Sequence, residues 1–416
     1  MKIGFYGATG SWDFGDYAMM VHNIQEIWKL AADSEFYVFT PDKYITLQVL
    51  VDNLIDVKKL NKIHVVDEPR FLMSRIATIV DRVGFRLFKY HYIYSREYKA
   101  FCKGERISLP EDFKETINSI DILLFNGGGY LQHSWNISNF IFATAIKYAH
   151  SCGKPVFFLG NSIGPMKSYD SVIRGIVHDI SRIMIRDGNN YTKKLLDKYG
   201  YSDYINGPDD LTFVNDIYQC ESQYQNYVIV EVMMWIDRAK RGRRYVLEEL
   251  LKLIDYINDS GKNVVLVSFD HTDTLATDCI NYLHCHACHK ERIFKIIKIS
   301  SMYEMFGLYR YCDFSISFKY HPVILALGSN KPFIGIICDA DGYYEGKLKG
   351  ACENLGVSPE NHIIHIDSIR EGRLINLYKN NIERSVISNA TLNRLKCIRR
   401  KYLKDILSLE IINVRK

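Results

Sequence analysis

Short apolar runs alternate with amphipathic helical patterns along most of the chain. In the first half, the apolar and β-branched runs predict strands, and the segments between them repeat apolar residues with the period of a helix. The predicted strands are Lys2–Tyr6, Phe36–Phe39, Lys62–Val66, Ile122–Phe125, Val156–Leu159 and Arg182–Ile185. Helices are predicted over Tyr17–Leu30 and Ser138–His150. This alternation is typical of βαβ units, so it predicts a parallel sheet with helices on both faces.

The same order of elements starts again after a polar stretch. The turn cluster Asn206–Asp210 and the aperiodic residues 216–226 interrupt the pattern, and a domain boundary is predicted there. A helix is predicted over Tyr245–Asp259, and the strands of the second series are Tyr227–Val232, Asn263–Ser268, Phe294–Ile297, Phe314–Ser317, Phe333–Ile337 and Ile363–His365. The sequence therefore predicts an α/β protein with two Rossmann-like domains whose parallel sheets face a cleft. The predicted units are residues 1–215, residues 226–368 and a C-terminal helical segment, residues 369–416.

Residues 70–118 do not fit the alternation. Eight basic and only two acidic residues stand between Arg70 and Lys103, interleaved with aromatic residues. Because the whole chain has a formal charge of +5, the rest of it is about neutral, which argues against a nucleic-acid-binding surface. We predict a basic helical insertion here. It either packs on its own chain or on a second subunit, or it lies on an anionic membrane or an acidic glycan.

Composition limits the class of protein. A chain of 416 residues with 47% hydrophobic and 24% charged residues is long and apolar enough for two folded domains. It contains no run of about 18 apolar residues, so no membrane-spanning helix is predicted. Its 10 cysteines lack paired spacing and are expected to be reduced and buried, as in a cytoplasmic protein. If the basic segment binds lipid, the protein would lie at the inner face of the membrane.

Three predicted strands of the first half run directly into glycine-containing loops. These loops are Gly7–Gly10, Gly127–Gly129 and Gly160–Pro165. Glycine at the end of a strand lets the backbone come close to a ligand, because no Cβ stands in the way. The carboxyl ends of parallel strands meet at one edge of a sheet, so the three loops predict a ligand cleft at that edge.

A strand end in the second half carries side chains suited to anion binding and proton transfer. The strand Phe314–Ser317 leads into Lys319 and His321, and Pro322 suits the first turn of a following helix. An ammonium and an imidazole at such a turn would hold an anion and exchange a proton near neutral pH. An exposed turn with a hydrogen-bonded histidine fits the same residues equally well.

Two residues of the first half are further candidates. Arg186 follows a predicted strand, where its guanidinium would suit bidentate binding of a carboxylate or phosphate. A surface ion pair with Asp187 is the alternative. Asp16 stands at the start of the helix Tyr17–Leu30, where its spacing favours an N-cap over a role in the cleft.

The segment His284–His289 contains metal-ligand residue types. Its His-Cys-His-Ala-Cys-His spacing is too tight for two separated ligand pairs, and no second cluster follows. The segment also continues a helical pattern that starts at Leu275. We therefore predict a helix face with partly buried cysteines and no metal site.

Together these blocks resemble the polysaccharide pyruvyl transferase family, whose members place a pyruvate ketal on glycans with phosphoenolpyruvate as donor. Six motifs follow the order of the family from about residue 4 to residue 356. They are Gly7–Asp16, Gly127–Leu131, Gly160–Pro165, Arg186-Asp187 with the helix Leu195–Gly200, Asp210–Phe213, and Lys319–His321 with the strand Pro332–Ile337. The predicted pair of Rossmann-like domains also matches the GT-B architecture of many glycosyltransferases.

The chain departs from the family pattern at three positions. Asn161 stands where glutamine is usual, and Asp13 stands where an asparagine normally precedes the Gly-Asp pair. Lys319 replaces the arginine of the Arg-x-His motif. Lysine keeps the charge at this position but lacks the guanidinium fork that binds a carboxylate through two parallel hydrogen bonds.

The resemblance implies a ketal-forming reaction without a metal or cofactor. A sugar hydroxyl adds to C2 of phosphoenolpyruvate as C3 is protonated, phosphate leaves, and a second hydroxyl closes the ketal. His321 would be the general acid and base, Asp16 would orient an acceptor hydroxyl, and Arg186 and Lys319 would hold the donor. The residues that would shape the acceptor side are Gly127, Gly128, Gly129, Asn161, Ser162 and Gly164.

The implied acceptor is a glycan or a lipid-linked oligosaccharide, a precursor of a cell-surface polysaccharide or exopolysaccharide. Two alternatives remain open. One is a GT-B glycosyltransferase that uses a nucleotide sugar, and the other is a non-catalytic glycan-binding assembly protein. The departures at Asp13, Asn161 and Lys319 favour the second alternative, and the sequence leaves open whether the protein is an oligomer.

Overall fold

The computed structural model describes most of the chain. The described residues are 1–7, 9–68, 99, 109–133, 136–166, 170–188, 191–299, 301–339, 342–381 and 387–408. The basic segment Arg70–Lys103 lies almost entirely outside them, so its interpretation as a helical insertion with a membrane or glycan contact stays a prediction.

The first half forms one parallel sheet of eight described strands. They are β1 (Lys2–Tyr6), β2 (Glu35–Thr40), β3 (Ile63–Asp67), β4 (Ile122–Phe125), β5 (Gly128–Leu131), β6 (Val156–Ile163), β7 (Arg182–Ile185) and β8 (Tyr204–Asn206). Their order is β3-β2-β1-β4-β6-β7-β8, and β5 pairs with β6 outside this path. The strand order therefore reverses between β1 and β4, which is the switch point where doubly wound sheets bind ligands.

Helices pack on this sheet between its strands. They are α1 (Phe14–Leu30), α2 (Lys43–Asn53), α3 (Glu111–Ser119), α4 (Asn136–Ser151), α5 (Asp170–Ile176), α6 (Tyr191–Lys198) and α7 (Val214–Ile217). Side-chain caps define where several of them start. The carboxylate of Asp42 accepts a hydrogen bond from the N–H of Ile45 at 3.0 Å at the start of α2, for example.

The second half has the same arrangement, with six strands among its described residues. They are β9 (Tyr227–Glu231), β10 (Asn263–Val267), β11 (Ile293–Ile296), β12 (Phe314–Ser317), β13 (Phe333–Ile337) and β14 (Ile363–His365). Their order is β11-β10-β9-β12-β13-β14, all parallel, with the switch point between β9 and β12. The helices of this half are α8 (Arg243–Asp259), α9 (Thr274–His286), α10 (Met302–Tyr311), α11 (Tyr320–Gly328) and α12 (Tyr343–Asn354).

The prediction of two parallel-sheet α/β domains is confirmed, and each predicted strand is present. Two strands were not predicted, β5 and β8, and β6 extends four residues beyond its predicted end at Leu159. The extension and β5 contain glycines, asparagine and serine, which have low strand propensity. Pairing between β5 and β6 holds these residues in extended conformation, so the tertiary context overrides the local preference.

The two sheets meet through the loops at their carboxyl ends. The N–H of Phe14 donates to the carbonyl of Phe269 at 2.8 Å, and Asp13 forms an antiparallel bridge with Asp270. At another point of contact, the side chain of Asn53 accepts a hydrogen bond from the N–H of Met302 at 2.7 Å. These contacts connect the first half of the chain to the second.

Two further helices follow the second sheet, α13 (Arg373–Asn381) and α14 (Asn389–Leu407). The chain returns in α14 to the first half, where the hydroxyl of Tyr402 donates to the carbonyl of Phe158 at 2.7 Å. Arg399 enters the same core and is 1% exposed. Its Nη1 donates to Asp210 at 2.6 Å, and its Nε donates to Glu26 at 2.8 Å.

The described cysteines are free thiols, but they are not all buried as expected. Cys285, Cys288 and Cys397 are exposed, because they lie on the outer faces or ends of surface helices. Within the described residues, no helix is long and apolar enough to cross a membrane.

Loss of the Arg399 guanidinium is expected to destabilise the protein strongly. The variant Arg399→Met would leave the buried carboxylate of Asp210 without its cation, and a broken buried pair typically costs about 3–5 kcal/mol. The free energy of unfolding, measured by denaturant titration, should fall by about this amount. Arg400→Met is the matched control, because Arg400 is exposed on the same helix and should change stability by less than about 0.5 kcal/mol. Equal stability of the two variants would contradict the assignment.

Candidate active site

The carboxyl ends of the two sheets meet through polar side chains. His321, after β12, lies with its Nε2 3.5 Å from Nη1 of Arg186, after β7. The hydroxyl of Tyr343, after β13, donates to the carbonyl of Gly129 at 2.6 Å. Ligands of doubly wound sheets bind beyond the carboxyl ends of the strands, so these contacts lie where a ligand is expected.

Arg186 is a deeply enclosed cation of this region. Its Nη1 donates to Asp209 at 2.5 Å, its Nε donates to Ser162 at 3.3 Å, and its guanidinium lies 4.5 Å from the ring centroid of Tyr320. Among the described residues, its Nη2 has no hydrogen-bond partner. The alternative of a surface pair with Asp187 is wrong, because both side chains are buried.

His321 is buried, so its interpretation as part of an exposed turn is wrong, and its imidazole does not have the expected near-neutral pKa. Burial lowers the pKa of its imidazole well below the usual value, and the charges of Arg186, Lys347 and Lys319 lower it further. Helix α1 packs directly on the ring: a Cβ at Gly15 would fall 1.7 Å from Nδ1. The neutral imidazole therefore dominates, and only glycine fits at this point of α1.

Lys319 occupies the expected strand end, but its ammonium already has a partner. Its Nζ lies 2.5 Å from Oδ2 of Asp13. Burial disfavours the charge, yet the Asp13 carboxylate outweighs this effect and raises the pKa of Lys319. Glu231, at the end of β9, accepts hydrogen bonds from the N–H groups of Phe318 at 2.7 Å and Lys319 at 2.9 Å, which hold the turn.

The helix α1 is capped by Asp13 and not by Asp16, so the N-cap interpretation of Asp16 is wrong. Oδ1 of Asp13 accepts a hydrogen bond from the N–H of Gly15 at 3.1 Å. Asp16 is partly buried in the first turn. Burial raises the pKa of its carboxyl to about 8, the charge of Asp13 adds to the rise, and the nearby cations oppose it. Asp16 therefore has no capping role, and the pKa of its carboxyl lies well above the usual range.

The carboxylate of Asp210 binds the backbone of two of the glycine-containing segments. Its carboxylate accepts hydrogen bonds from the N–H groups of Gly127 at 2.9 Å and Gly160 at 3.2 Å, and from the side chain of Asn23 at 2.6 Å. The two glycine N–H groups are thus already occupied. These groups are therefore not free to donate to a substrate.

The remaining glycines of the motifs differ in position. A Cβ at Gly129 would fall 1.9 Å from the hydroxyl of Tyr343, so this glycine allows the second domain to approach. Gly128 begins strand β5 with φ of 154°. The N–H of Gly164 donates to the carbonyl of Leu131 at 2.8 Å. Gly164 also lines a cavity of about 250 Å³ that none of the charged residues described above line. Of Gly128, Gly129 and Gly164, it is therefore Gly129 that contacts the second domain beside the charged residues.

Asn161 and Ser162 lie within strand β6 and not in a loop, which corrects their predicted setting. The Nδ2 of Asn161 donates to the carbonyl of Asn126 and to the hydroxyl of Tyr130, both at 3.0 Å. Ser162 accepts the hydrogen bond from Arg186. Both residues are buried, so their contacts support the cleft wall and the guanidinium.

None of the sequence motifs contains Lys347, which the structure places in the charged cluster that also includes Asp16, Arg186, Lys319 and His321. Its Nζ lies 4.5, 4.6 and 4.9 Å from the ring centroids of Tyr343, Tyr320 and Tyr344. It also donates to the hydroxyl of Tyr343 at 3.1 Å. One signal was available, because Tyr343 and Lys347 stand four residues apart after a predicted strand and so share a helix face.

In the described parts of the chain, no group of three or more His, Cys, Asp or Glu side chains could hold a metal ion. The segment His284–His289 spans the end of α9, as its helical pattern predicted. The expectation of partly buried cysteines is wrong there, since Cys285 and Cys288 are exposed. The thiol of Cys288 lies 3.4 Å from a carboxylate oxygen of Asp255.

The architecture is similar to that of solved sugar-nucleotide epimerases. A putative UDP-N-acetylglucosamine 2-epimerase from Listeria monocytogenes has a TM-score of 0.55 at 11% identity, with 96% of each chain covered. The UDP-GlcNAc 2-epimerase from Methanocaldococcus jannaschii has a TM-score of 0.54 at 9% identity, over 97% of this chain and 99% of that chain. The enzyme from Neisseria meningitidis, bound to UDP-GlcNAc, has a TM-score of 0.52 at 12% identity, over 97% and 100%. These are GT-B folds, so the predicted GT-B-like architecture is confirmed.

No curated protein sequence matches the chain significantly. The family model described as "Polysaccharide pyruvyl transferase" matches residues 13–339, a span that runs from the cap of α1 to the turn after β13. It contains Asp16, Arg186, Lys319 and His321, and the resemblance read from the motifs is confirmed. The chain therefore belongs to the polysaccharide pyruvyl transferase family.

Proposed function

We propose that this protein moves a pyruvyl group from phosphoenolpyruvate to two hydroxyls of one sugar, where it forms a ketal. Membership of the family supports the reaction class. The observation that carries the proposal is the convergence of Arg186, Lys319 and His321 from both domains on one cleft, beside Asp16. Preorganised positive groups in an enclosed site suit a donor that carries a phosphate and a carboxylate.

Donor binding is assigned first to Arg186. Its Nη1 is committed to Asp209, whereas its buried Nη2 has no partner among the described residues. A buried N–H without an acceptor costs free energy, and an oxygen of the donor would satisfy it. Lys319 adds a point charge, which a donor anion would share with Asp13.

Proton transfer is assigned to His321. A bound anion beside it favours the imidazolium and raises its pKa, so the donor would supply its own acid. The oxygen of the first acceptor hydroxyl bonds to C2 of phosphoenolpyruvate and passes its proton to an oxygen of the departing phosphate, while the electron pair of the double bond takes the proton of His321 at C3. Phosphate then leaves with its C–O electron pair. The second hydroxyl bonds to C2 and returns a proton to the neutral imidazole.

The acceptor side is assigned to Asp16 and Gly129. A carboxyl with a pKa of about 8 can accept the hydrogen bond of a sugar hydroxyl and share its proton near neutral pH. The proposed acceptor is a glycan or lipid-linked oligosaccharide in the synthesis of a cell-surface polysaccharide or exopolysaccharide. The proposed location is cytoplasmic, at the inner face of the membrane if the segment Arg70–Lys103 binds lipid.

The donor that the protein turns over distinguishes the proposed function from its alternatives. The purified protein should release phosphate from phosphoenolpyruvate only when an acceptor glycan is present, and mass spectrometry should detect one added pyruvyl ketal. Turnover of a nucleotide sugar, with none of phosphoenolpyruvate, would favour a GT-B glycosyltransferase instead. Glycan binding without turnover of either donor would indicate a non-catalytic assembly protein.

The variant His321→Gln is expected to lose most of its turnover. Glutamine keeps the size and part of the hydrogen bonding but cannot exchange a proton, and loss of a positioned general acid typically costs about 10²–10⁴ in rate. Steady-state phosphate release gives kcat, and the melting temperature checks the fold. His150→Gln is the control, because His150 is exposed at the far end of α4. Wild-type kcat in His321→Gln would exclude the role.

The variant Arg186→Lys is expected to weaken donor binding. It keeps a charge beside Asp209 but loses the fork, and a hydrogen bond between charged groups is worth about 1.5–3 kcal/mol. The KM for phosphoenolpyruvate should therefore rise about 10- to 100-fold, with a smaller change in the KM for acceptor. Arg182→Lys, at the opposite end of the same strand, should leave both constants unchanged. An unchanged donor KM in Arg186→Lys would refute the assignment.

A further inference from the structure

Lys347 is a buried cation that lies beyond the residues matched by the family model. The match ends at Asp339, whereas Lys347 stands in the second turn of α12. Its side chain is 6% exposed and enters the charged cluster between three tyrosine rings. Aromatic faces attract an ammonium, but they are neutral and leave its charge uncompensated.

Lys347 differs from the other two cations in what surrounds its charge. Arg186 has the carboxylate of Asp209 at 2.5 Å, and Lys319 has the carboxylate of Asp13 at 2.5 Å. In the described parts of the chain, no carboxylate oxygen lies within 4.0 Å of Nζ of Lys347. Its hydrogen-bond partner is the hydroxyl of Tyr343, a neutral group. A lysine in this setting tends to lose its charge, and an anion from outside would favour the charged ammonium.

Position also connects Lys347 with the donor site. Its Nζ and the guanidinium of Arg186 contact the ring of the same residue, Tyr320, at 4.6 and 4.5 Å from the centroid. Through Tyr343 it is linked to the carbonyl of Gly129 at the end of the first sheet. An anion that reaches the unpartnered Nη2 of Arg186 therefore enters the surroundings of Lys347.

We propose that Lys347 binds the phosphate group of the donor and takes up a proton as it does so. The identity of the donor rests on the proposed function, but the anion site itself does not. The phosphate would lie between a cation of the first domain, Arg186, and a cation of the second domain, Lys347. The ligand would thereby join the two domains across the cleft.

Protonation of Lys347 depends on the groups around it. Burial and, after it, the charge of Arg186 lower the pKa of its ammonium to about 7, against the opposing effect of the carboxylates of Asp16, Asp209 and Asp187. The other titratable groups that face it are His321, Tyr320, Tyr343 and Tyr344, which are neutral near pH 7.

These surroundings of Lys347 determine how the affinity for the anion changes with pH. Above pH 7 the amine is mostly neutral in the absence of an anion, and a bound dianion raises its pKa. Binding above pH 7 is therefore coupled to proton uptake, and affinity for the anion falls as pH rises through the range in which the free amine loses its proton.

Calorimetry with inorganic phosphate, and separately with phosphoenolpyruvate, tests this inference on the full-length protein. Titrations at about pH 8 in two buffers of different ionisation enthalpy give the number of protons taken up. Lys347 of the wild-type protein should take up close to one proton from the solution, in addition to any taken up by His321 and Asp16.

Two variants and one control isolate the contribution of Lys347. Lys347→Met should bind phosphate about 10- to 100-fold more weakly and lose about one proton of uptake. Lys347→Arg should bind more tightly than Lys347→Met but still lose that proton, because a guanidinium stays charged. The control Lys349→Met removes a partly exposed lysine of the same helix, paired with Glu345, and should behave as wild type.

The outcomes separate this inference from the proposed function. Wild-type affinity and proton uptake in Lys347→Met, with an unchanged melting temperature, would overturn the inference even if ketal transfer is observed. If Lys347→Met does not fold, Lys347→Arg decides the question. Proton uptake equal to that of the wild type in Lys347→Arg would also overturn the inference. Failure of ketal transfer with Lys347-dependent phosphate binding would instead refute the proposed function alone.

Discussion

The carboxylate of Asp210 holds the first half of the cleft together. It is fully buried, and it accepts hydrogen bonds from the N–H groups of Gly127, after β4, and Gly160, within β6, and from Asn23 and Arg399. Burial opposes its ionisation, but Arg399 and Asn23 hold its pKa below the usual value. A buried charge of this kind is tolerated only when every lone pair has a partner. The glycine loops therefore have their shape because a single side chain behind them uses all of its acceptor capacity.

The charged cluster in front of the loops differs from Asp210, because not every charged group in it has a partner of opposite charge. Arg186 and Lys319 each have a carboxylate partner, but His321, Lys347 and Asp16 have pKa values displaced from their usual ranges by burial and by one another. Perturbed groups of both signs in one enclosed site are typical of active sites and not of packing alone. Two of these three groups would titrate near neutral pH, whereas His321 needs a bound anion to do so. The donor anion of the proposed function would therefore complete the charge balance of this cluster.

Most of the fold could be predicted from the sequence, because buried parallel strands are short apolar runs and helices repeat with their own period. The strand β5 could not be predicted, since glycine has little strand propensity and only pairing with β6 extends this segment.

The positions of Arg186, Lys319 and His321 at strand ends could be predicted from their spacing in the sequence. Their protonation could not, because the surroundings of His321 come from residues as far away as Arg186, 135 positions earlier. Lys347 was missed because no motif covers its helix.

The return of α14 to the first domain has a consequence for how the molecule is made. During synthesis the first sheet leaves the ribosome about 190 residues before Arg399 does. Until then Asp210 has no guanidinium, and the loops that it shapes are incomplete. The first domain can collapse early around its apolar strands, but its cleft is finished only when the end of the chain arrives. A truncated product that lacks α14 would therefore keep much of the fold without the contact of Arg399 with Asp210.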